Sequence, residues 1–169
     1  MDFESLVASH YRSLYQFAFS LTRDEADACD LTQQTFYIWA AKGHQLRDES
    51  KVKTWLFTTL HREFLGARRK QVRFPHVELE QAAAELPVVS PASFNQLDTA
   101  QLLSALAGLD EIYRAPVALF YLQDYSYLEI AEILGVPIGT VKSRLARGLD
   151  RLHQLLTGGT ATPSPQPDL

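Results

Sequence analysis

Local signals in residues 126–140 of this chain predict two short helices joined by a tight turn. Ser126 and Glu129 have the spacing of a capping box, in which the serine hydroxyl accepts from an early backbone N–H and the glutamate reaches back to the cap. Gly135 can take the positive φ of a tight turn, and Pro137 is a residue that commonly opens a helix. A capped helix that ends at glycine and is followed at once by another predicts a helix-turn-helix.

The second helix of this pair has a polar, basic face. Val136 and Val141 are expected to pack beneath it, and hydroxyl or cationic side chains point outward: Thr140, Lys142, Ser143, Arg144 and Arg147. Arg and Lys reach guanine edges or phosphates, and Ser and Thr hydroxyls serve phosphates or bases, so this face predicts a contact in the DNA major groove. The alternative is an amphipathic hairpin whose basic face is only solvated.

The net charge of −4 hides two basic segments in an acidic chain. Residues 51–73 contain seven Lys and Arg against one acidic residue, and residues 138–169 contain four against two. Residues 74–137 contain one basic and nine acidic residues. Because a local field matters more than the total charge, the basic segments can attract nucleic acid.

Apolar spacing predicts three helices in the first part of the chain. Asp2 can cap a first helix that extends to Leu21, and Asp24 can cap a second that ends at a left-handed Gly43. A third helix begins near Val52 and becomes basic toward its C-terminal end. The residues expected to face inward on this helix are Val52, Trp55, Leu56, Leu60, Phe64 and Leu65. We assign Trp55 to the core rather than to DNA.

The remaining segments complete the predicted organisation. Residues 74–97 are rich in proline and glutamate, which favours an extended linker, and helical spacing resumes at residue 98, with Pro116 expected to delay or bend one helix. The Thr/Ser/Pro-rich residues 158–169 predict a disordered tail. We therefore predict an all-α fold of two small helical domains, residues 1–73 and 98–157, joined by a flexible linker, the C-terminal one carrying the helix-turn-helix.

Several classes of protein are not expected from this sequence. No apolar run approaches the roughly 20 residues of a membrane span. Met1 is followed by acidic residues rather than a secretory signal, and Cys29 has no partner for a disulfide, which together predict a cytoplasmic protein. The histidines are scattered without metal-ligand spacing, and no glycine loop suits a phosphate. We expect no enzyme activity, no cofactor and no metal.

Three motifs give this chain a resemblance to a known family. Residues 125–148 resemble region 4.2 of sigma factors of the sigma-70 family, and the run Gly-Thr-Val-Lys-Ser-Arg at 139–144 is the most specific part. Residues 27–39 resemble region 2.2, and residues 53–58 resemble the start of region 2.3 in the extracytoplasmic-function (ECF) group. The resemblance covers about residues 3–156, although 74–97 matches only in length and acidity.

The resemblance implies a sigma factor that binds bacterial core RNA polymerase and directs promoter-specific initiation through minus-10 melting and minus-35 recognition. It implies that the region 2.2 helix docks on the polymerase clamp through Asp30, Gln33, Gln34 and Phe36. It also implies a loop that shapes a pocket for a flipped minus-10 base, formed by His44, Gln45, Leu46, Arg47 and Asp48. The third helix would hold the strand backbone through Arg62, Arg68, Arg69 and Lys70.

This chain departs from the family pattern on the third helix. Many members have Asn after an Arg, where this chain has His61 and Arg62, and an expected Asp is replaced by Gly66. The readout of the minus-10 element at these positions is therefore left open.

The sequence leaves alternatives open for the molecules that this chain binds. Without the resemblance, the polar residues of the second helix are those of an ordinary helix surface. A free-standing helix-turn-helix regulator would need its own dimer surface, whereas a sigma factor is expected to be a monomer when free. Family members are often held inactive by an anti-sigma protein, which adds a third class of partner to promoter DNA and polymerase.

Overall fold

The computed structural model describes residues 2–73 and 97–157, and it describes side chains for residues 2–70 and 100–157. Every regular element in these residues is helical: α1 (Phe3–Thr22), α2 (Glu25–Lys42), α3 (Val52–Arg73), α4 (Leu97–Ala107), α5 (Glu111–Gln123), α6 (Tyr127–Leu134) and α7 (Ile138–Thr157). Two 3-10 turns, Gly43–Gln45 and Glu49–Lys51, connect α2 to α3. The prediction of an all-α fold with two helical domains is confirmed. The predicted linker, except for its last residue, and the predicted tail lie outside the described residues.

The N-terminal helices begin at the predicted caps but do not all end as predicted. The carboxylate of Asp2 accepts from the N–H of Ser5 at 2.7 Å, and that of Asp24 accepts from the N–H of Asp27 at 2.9 Å. Gly43 is right-handed, with φ −61°, so the prediction of a left-handed residue there is wrong. Glycine is required for space instead, because a Cβ at residue 43 would lie 2.4 Å from Cδ2 of Trp39.

Helices α1, α2 and α3 form the N-terminal unit around a core of aromatic and leucine side chains. The rings of Phe17 and Phe57 lie 5.3 Å apart between α1 and α3. Leu56 and Leu60 of α3 are fully buried. Leu65 is 39% exposed, so its predicted inward position is wrong: it lines an open cleft between α3 and the C-terminal unit rather than the core.

Helices α4 to α7 form the C-terminal unit, in which α5 and α7 pack closely. A Cβ at Gly148 would lie 2.6 Å from Cγ2 of Val117, so only glycine allows this separation of the two helices. Pro116 is buried inside α5, which begins at Glu111. Of the two effects predicted for Pro116, a late start and a bend, the late start is therefore wrong.

The two units pack against each other. Helix α5 contacts α1 and helix α6 contacts α3, and buried residues of both units belong to one continuous core. Gln123 Nε2 of α5 donates to the carbonyl of Ser13 at 3.3 Å. The rings of Phe57 and Tyr125 meet edge to face with 5.6 Å between their centroids. The sequence predicted two units on a linker and did not predict this contact.

Candidate nucleic-acid interface

The turn between α6 and α7 has the geometry that the sequence predicts. The hydroxyl of Ser126 accepts from the N–H of Glu129 at 3.2 Å and donates to its carboxylate at 3.1 Å, so the glutamate reaches the cap side chain rather than the cap backbone. Gly135 has φ +66°, and its N–H donates to the carbonyl of Ala131 at 2.9 Å. The left-handed glycine ends α6 and turns the chain into α7, as in a helix-turn-helix.

Helix α7 places the predicted minus-35 residues at different depths. Val141 and Leu145 are buried, which fixes the inner side of the helix. Lys142, Ser143 and Arg147 are exposed, whereas Thr140 is half-buried. The exposed residues form a polar, basic strip on the helix that follows the turn, which is where a helix-turn-helix reads DNA.

Arg144 differs from the other cations of α7 because it faces the N-terminal unit. Arg144 is half-buried and lines a cleft together with His61 and Phe64 of α3. His61 is 8% exposed, and this burial, together with the charge of Arg144, lowers the pKa of the imidazole to about 4. His61 is thus a neutral core residue in this arrangement, and the departure from the family pattern at this position lies away from solvent.

The predicted minus-10 loop lies between α2 and α3. Leu46 is half-buried, while the other four predicted residues of this loop are exposed: His44, Gln45, Arg47 and Asp48. The carboxylate of Asp48 accepts from the hydroxyl of Ser50 at 2.6 Å and from its N–H at 3.0 Å, and these hydrogen bonds lower the pKa of Asp48. A cleft of about 440 Å³ adjoins this loop, with Trp39, Gly43 and Leu46 in its lining.

The basic end of α3 is mostly available to solvent. Arg62, Arg69 and Lys70 are exposed. Arg68 is exposed as well, and its guanidinium forms an ion pair with Glu111 of α5. A Cβ at Gly66 would meet nothing within 4 Å, so the glycine at this departure from the family pattern is not required by packing.

Helix α2 brings the four predicted polymerase residues to one groove between α1 and α2. Asp30, Gln33, Gln34 and Phe36 all line this groove. Phe36 is 5% exposed and stacks on Tyr11 at 6.2 Å, so only a small part of its ring is open to the groove. Its role as a polymerase contact stays a prediction.

Tyr37 is the aromatic side chain that this helix presents to solvent, with 71% exposure, and it was not predicted as a site residue. The signal was available, because Ala28, Thr32, Thr35 and Phe36 share a face at helical spacing. Tyr37, one position further on, therefore lies off that face.

The described residues, 2–73 and 97–157, contain neither a metal-binding cluster nor a helix that could span a membrane. No group of three or more His, Cys, Asp or Glu side chains there could hold a metal ion. Among the helices of those residues, none combines the length and the apolar character that crossing a bilayer requires.

Family models and known proteins agree with this geometry. The model for sigma-70 region 2 matches residues 6–74, and the model for sigma-70, region 4 matches residues 99–152. The ECF RNA polymerase sigma factor SigM of Bacillus subtilis is 30% identical over 162 residues, which cover 94% of this chain and 98% of the relative.

Two solved structures are similar over most of their length. The sigma factor RpoE from Bartonella quintana, in complex with the anti-sigma factor NepR, is 34% identical with a TM-score of 0.74, covering 92% of this chain and 97% of that one. CnrH in complex with the cytosolic domain of CnrY is 27% identical with a TM-score of 0.63, covering 92% and 88%.

A region 2 unit followed by a region 4 helix-turn-helix defines a sigma factor of the two-domain plan. The chain belongs to the extracytoplasmic-function sigma factors of the sigma-70 family. Its function is to direct promoter-specific initiation of transcription as a sigma factor of RNA polymerase.

Proposed function

We propose that the two units divide promoter recognition, with residues 1–73 engaging the minus-10 element and residues 98–157 reading the minus-35 element. The observation that carries this proposal is the exposed strip of Lys142, Ser143 and Arg147 on the second helix of the helix-turn-helix. This strip would enter the major groove, where cations and hydroxyls meet base edges and phosphates. Thr140 and Arg144 would join it once α7 is free of the N-terminal unit.

At the minus-10 element, the loop of residues 44–48 would receive a base extruded from the nontemplate strand. The cleft beside Trp39 and Leu46 supports this role, because it offers an apolar wall near exposed polar groups. Arg62, Arg68, Arg69 and Lys70 would hold the strand backbone by charge, which carries little sequence information.

For core RNA polymerase, we propose that five residues form the contact on α2: Asp30, Gln33, Gln34, Phe36 and Tyr37. Phe36 would contribute mainly from beneath, through its packing on Tyr11. If each unit alone binds promoter DNA weakly, as we expect, polymerase would act by fixing their spacing and making the second promoter contact intramolecular.

The proposed function also concerns the location, the oligomeric state and the further partners of the protein. We expect a cytoplasmic protein, monomeric when free, that catalyses no reaction. RpoE is solved in complex with the anti-sigma factor NepR, and CnrH in complex with the cytosolic domain of CnrY. An anti-sigma protein is accordingly the further class of partner that we propose for this chain.

Substitution of the exposed strip tests the minus-35 assignment. The double variant Lys142→Ala with Arg147→Ala should lower transcription by reconstituted polymerase about tenfold or more from a promoter that depends on its minus-35 element, because each such contact contributes about 1–3 kcal/mol. Arg151→Ala is the matched control, since Arg151 is exposed on the same helix beyond the predicted strip. Equal transcription by the double variant and the control would contradict the assignment.

A further inference from the structure

The free cysteine of this chain lies beneath the groove between α1 and α2 that we assign to the polymerase contact. Cys29 is buried in α2, with 7% of its surface exposed. Its Sγ accepts a hydrogen bond from Nε2 of Gln33, one turn further along the same helix, at 3.3 Å. Gln33 is half-buried and lines the groove. The buried thiol therefore contacts a side chain that faces the proposed partner.

The thiol is held in turn by Tyr11 of α1. The Tyr11 hydroxyl and Cys29 Sγ lie 3.8 Å apart, within range of a hydrogen bond in which either atom can be the donor. The Tyr11 ring stacks with the rings of Tyr15 and Phe36, at 6.3 and 6.2 Å between centroids. Burial and the bond to Cys29 raise the pKa of the Tyr11 hydroxyl, so this group stays protonated. Polar contacts thus run from the packed rings through the thiol to the amide of Gln33.

These contacts determine which end of the Gln33 amide a partner meets. A glutamine side chain has a donor end, Nε2, and an acceptor end, Oε1. Because Nε2 is turned inward to the thiol, Oε1 is the end that is left for the groove. Asp30, which lines the same groove, also offers acceptor oxygens. The partner group that matches them is an N–H donor.

A long side chain contributes more to binding when it is held in its bound position beforehand. A glutamine that a partner must immobilise loses rotamer freedom on binding, and this loss weakens the complex. Residues four apart on a helix are neighbours on its surface, so Cys29 can hold the amide of Gln33 within α2 itself. Removal of the thiol would release the amide while leaving the groove in place.

We propose that Cys29 is a positioning residue for the polymerase contact: its thiol, backed by Tyr11, holds the amide of Gln33 with Oε1 toward an N–H donor of core RNA polymerase. This inference rests on the proposed assignment of Gln33 to that contact. It gives the single cysteine of the chain a role that packing alone does not supply.

A double-mutant cycle tests the positioning role. Biolayer interferometry with immobilised bacterial core polymerase measures the Kd of the full-length protein and its variants. We expect Cys29→Ala to raise Kd about threefold to tenfold, the cost of immobilising one released side chain, and Gln33→Ala to raise it at least as much. In the Gln33→Ala background, Cys29→Ala should change Kd less than about twofold, because the side chain that the thiol holds is already absent.

Three further variants separate positioning from folding. Cys29→Ser keeps a group that can accept from Nε2 and should bind polymerase within about twofold of the wild type. Gln33→Glu keeps an acceptor for the partner and a second oxygen to which the thiol can donate, so it should retain most of the affinity. Thr32→Ala removes a buried hydroxyl of the same helix that donates to the carbonyl of Ala28, and it should lower Tm but leave Kd unchanged. Thermal unfolding reports the Tm of every variant.

The pattern of Kd values distinguishes the positioning role from the proposed contact. Additive effects of Cys29→Ala and Gln33→Ala would overturn the positioning role while the Gln33 contact stands, and so would a Kd for Cys29→Ser as high as that for Cys29→Ala. Equal rises in Kd for Cys29→Ala and Thr32→Ala would overturn it as well, because they would trace the loss to a weakened α2. A loss in Gln33→Glu as large as in Gln33→Ala would contradict the orientation of the amide. An unchanged Kd in Gln33→Ala would instead refute the contact itself.

Discussion

At the scale of single residues, packing and exposure changed the assignments more than residue type did. Tyr37 and Phe36 are adjacent aromatic residues, yet one is exposed on α2 and the other is buried against Tyr11. Arg144 and Arg147 are both cations of α7, but only Arg147 is exposed. The sequence indicates the chemistry of a side chain. Whether that side chain is exposed to a partner depends on neighbours that lie far away along the chain.

The buried His61 should make stability depend on mildly acidic pH. Burial keeps the native pKa at about 4, below the value of 6.5 for an exposed histidine, so the unfolded chain takes up the proton first as the pH falls. The free energy of unfolding should therefore fall between pH 6.5 and pH 4, by about 3 kcal/mol in total from this group. Urea unfolding across this range measures the loss.

Matched substitutions assign that pH dependence. His61→Gln should flatten the fall, whereas His153→Gln, the same change at an exposed histidine, should leave it intact. Burial also lowers the pKa of His10, so part of the fall in the free energy of unfolding should remain in every variant. An unchanged slope in His61→Gln would mean that His61 is not neutral and buried in the folded protein.

At the scale of helices, local sequence signals predicted where most helices begin but were less successful in predicting how they end. Asp2, Asp24 and Ser126 cap helices as predicted, because a cap is a contact between residues three apart that sequence displays directly. The predictions of a left-handed Gly43 and of an inward Leu65 failed because of tertiary contacts. The ring of Trp39 decides what fits at residue 43, and Leu65 faces an open cleft between α3 and the C-terminal unit.

Alanine substitutions at two glycines inside helices should change the stability of the protein in opposite directions. Gly66→Ala on α3 should stabilise the protein by about 0.5–1 kcal/mol, since a Cβ there meets nothing within 4 Å and alanine loses less entropy in a helix. Gly148→Ala on α7 should destabilise it, because the new Cβ would lie 2.6 Å from Val117 Cγ2. Chemical denaturation measures both, and the same sign for both would contradict the packing of α5 on α7.

At the scale of the whole molecule, the order of the two domains was predictable but their contact was not. Residues 27–39 and 125–148 carry the family motifs in the correct order, and both family models match. Helical periodicity reports which side of a helix is buried, but not which helix buries it. Arg114 illustrates this, because nothing local predicts that a cation in α5 caps the end of α1.

The central claim is that this chain gives RNA polymerase a promoter with two spaced elements. The most direct measurement is runoff transcription on a genomic promoter library with purified bacterial core polymerase, with and without this protein, followed by sequencing of the transcript starts. The account predicts new starts that depend on the protein and share two sequence elements at a fixed spacing, one for each unit. No new starts, together with no stable complex with core polymerase, would contradict it and favour a free-standing DNA-binding regulator.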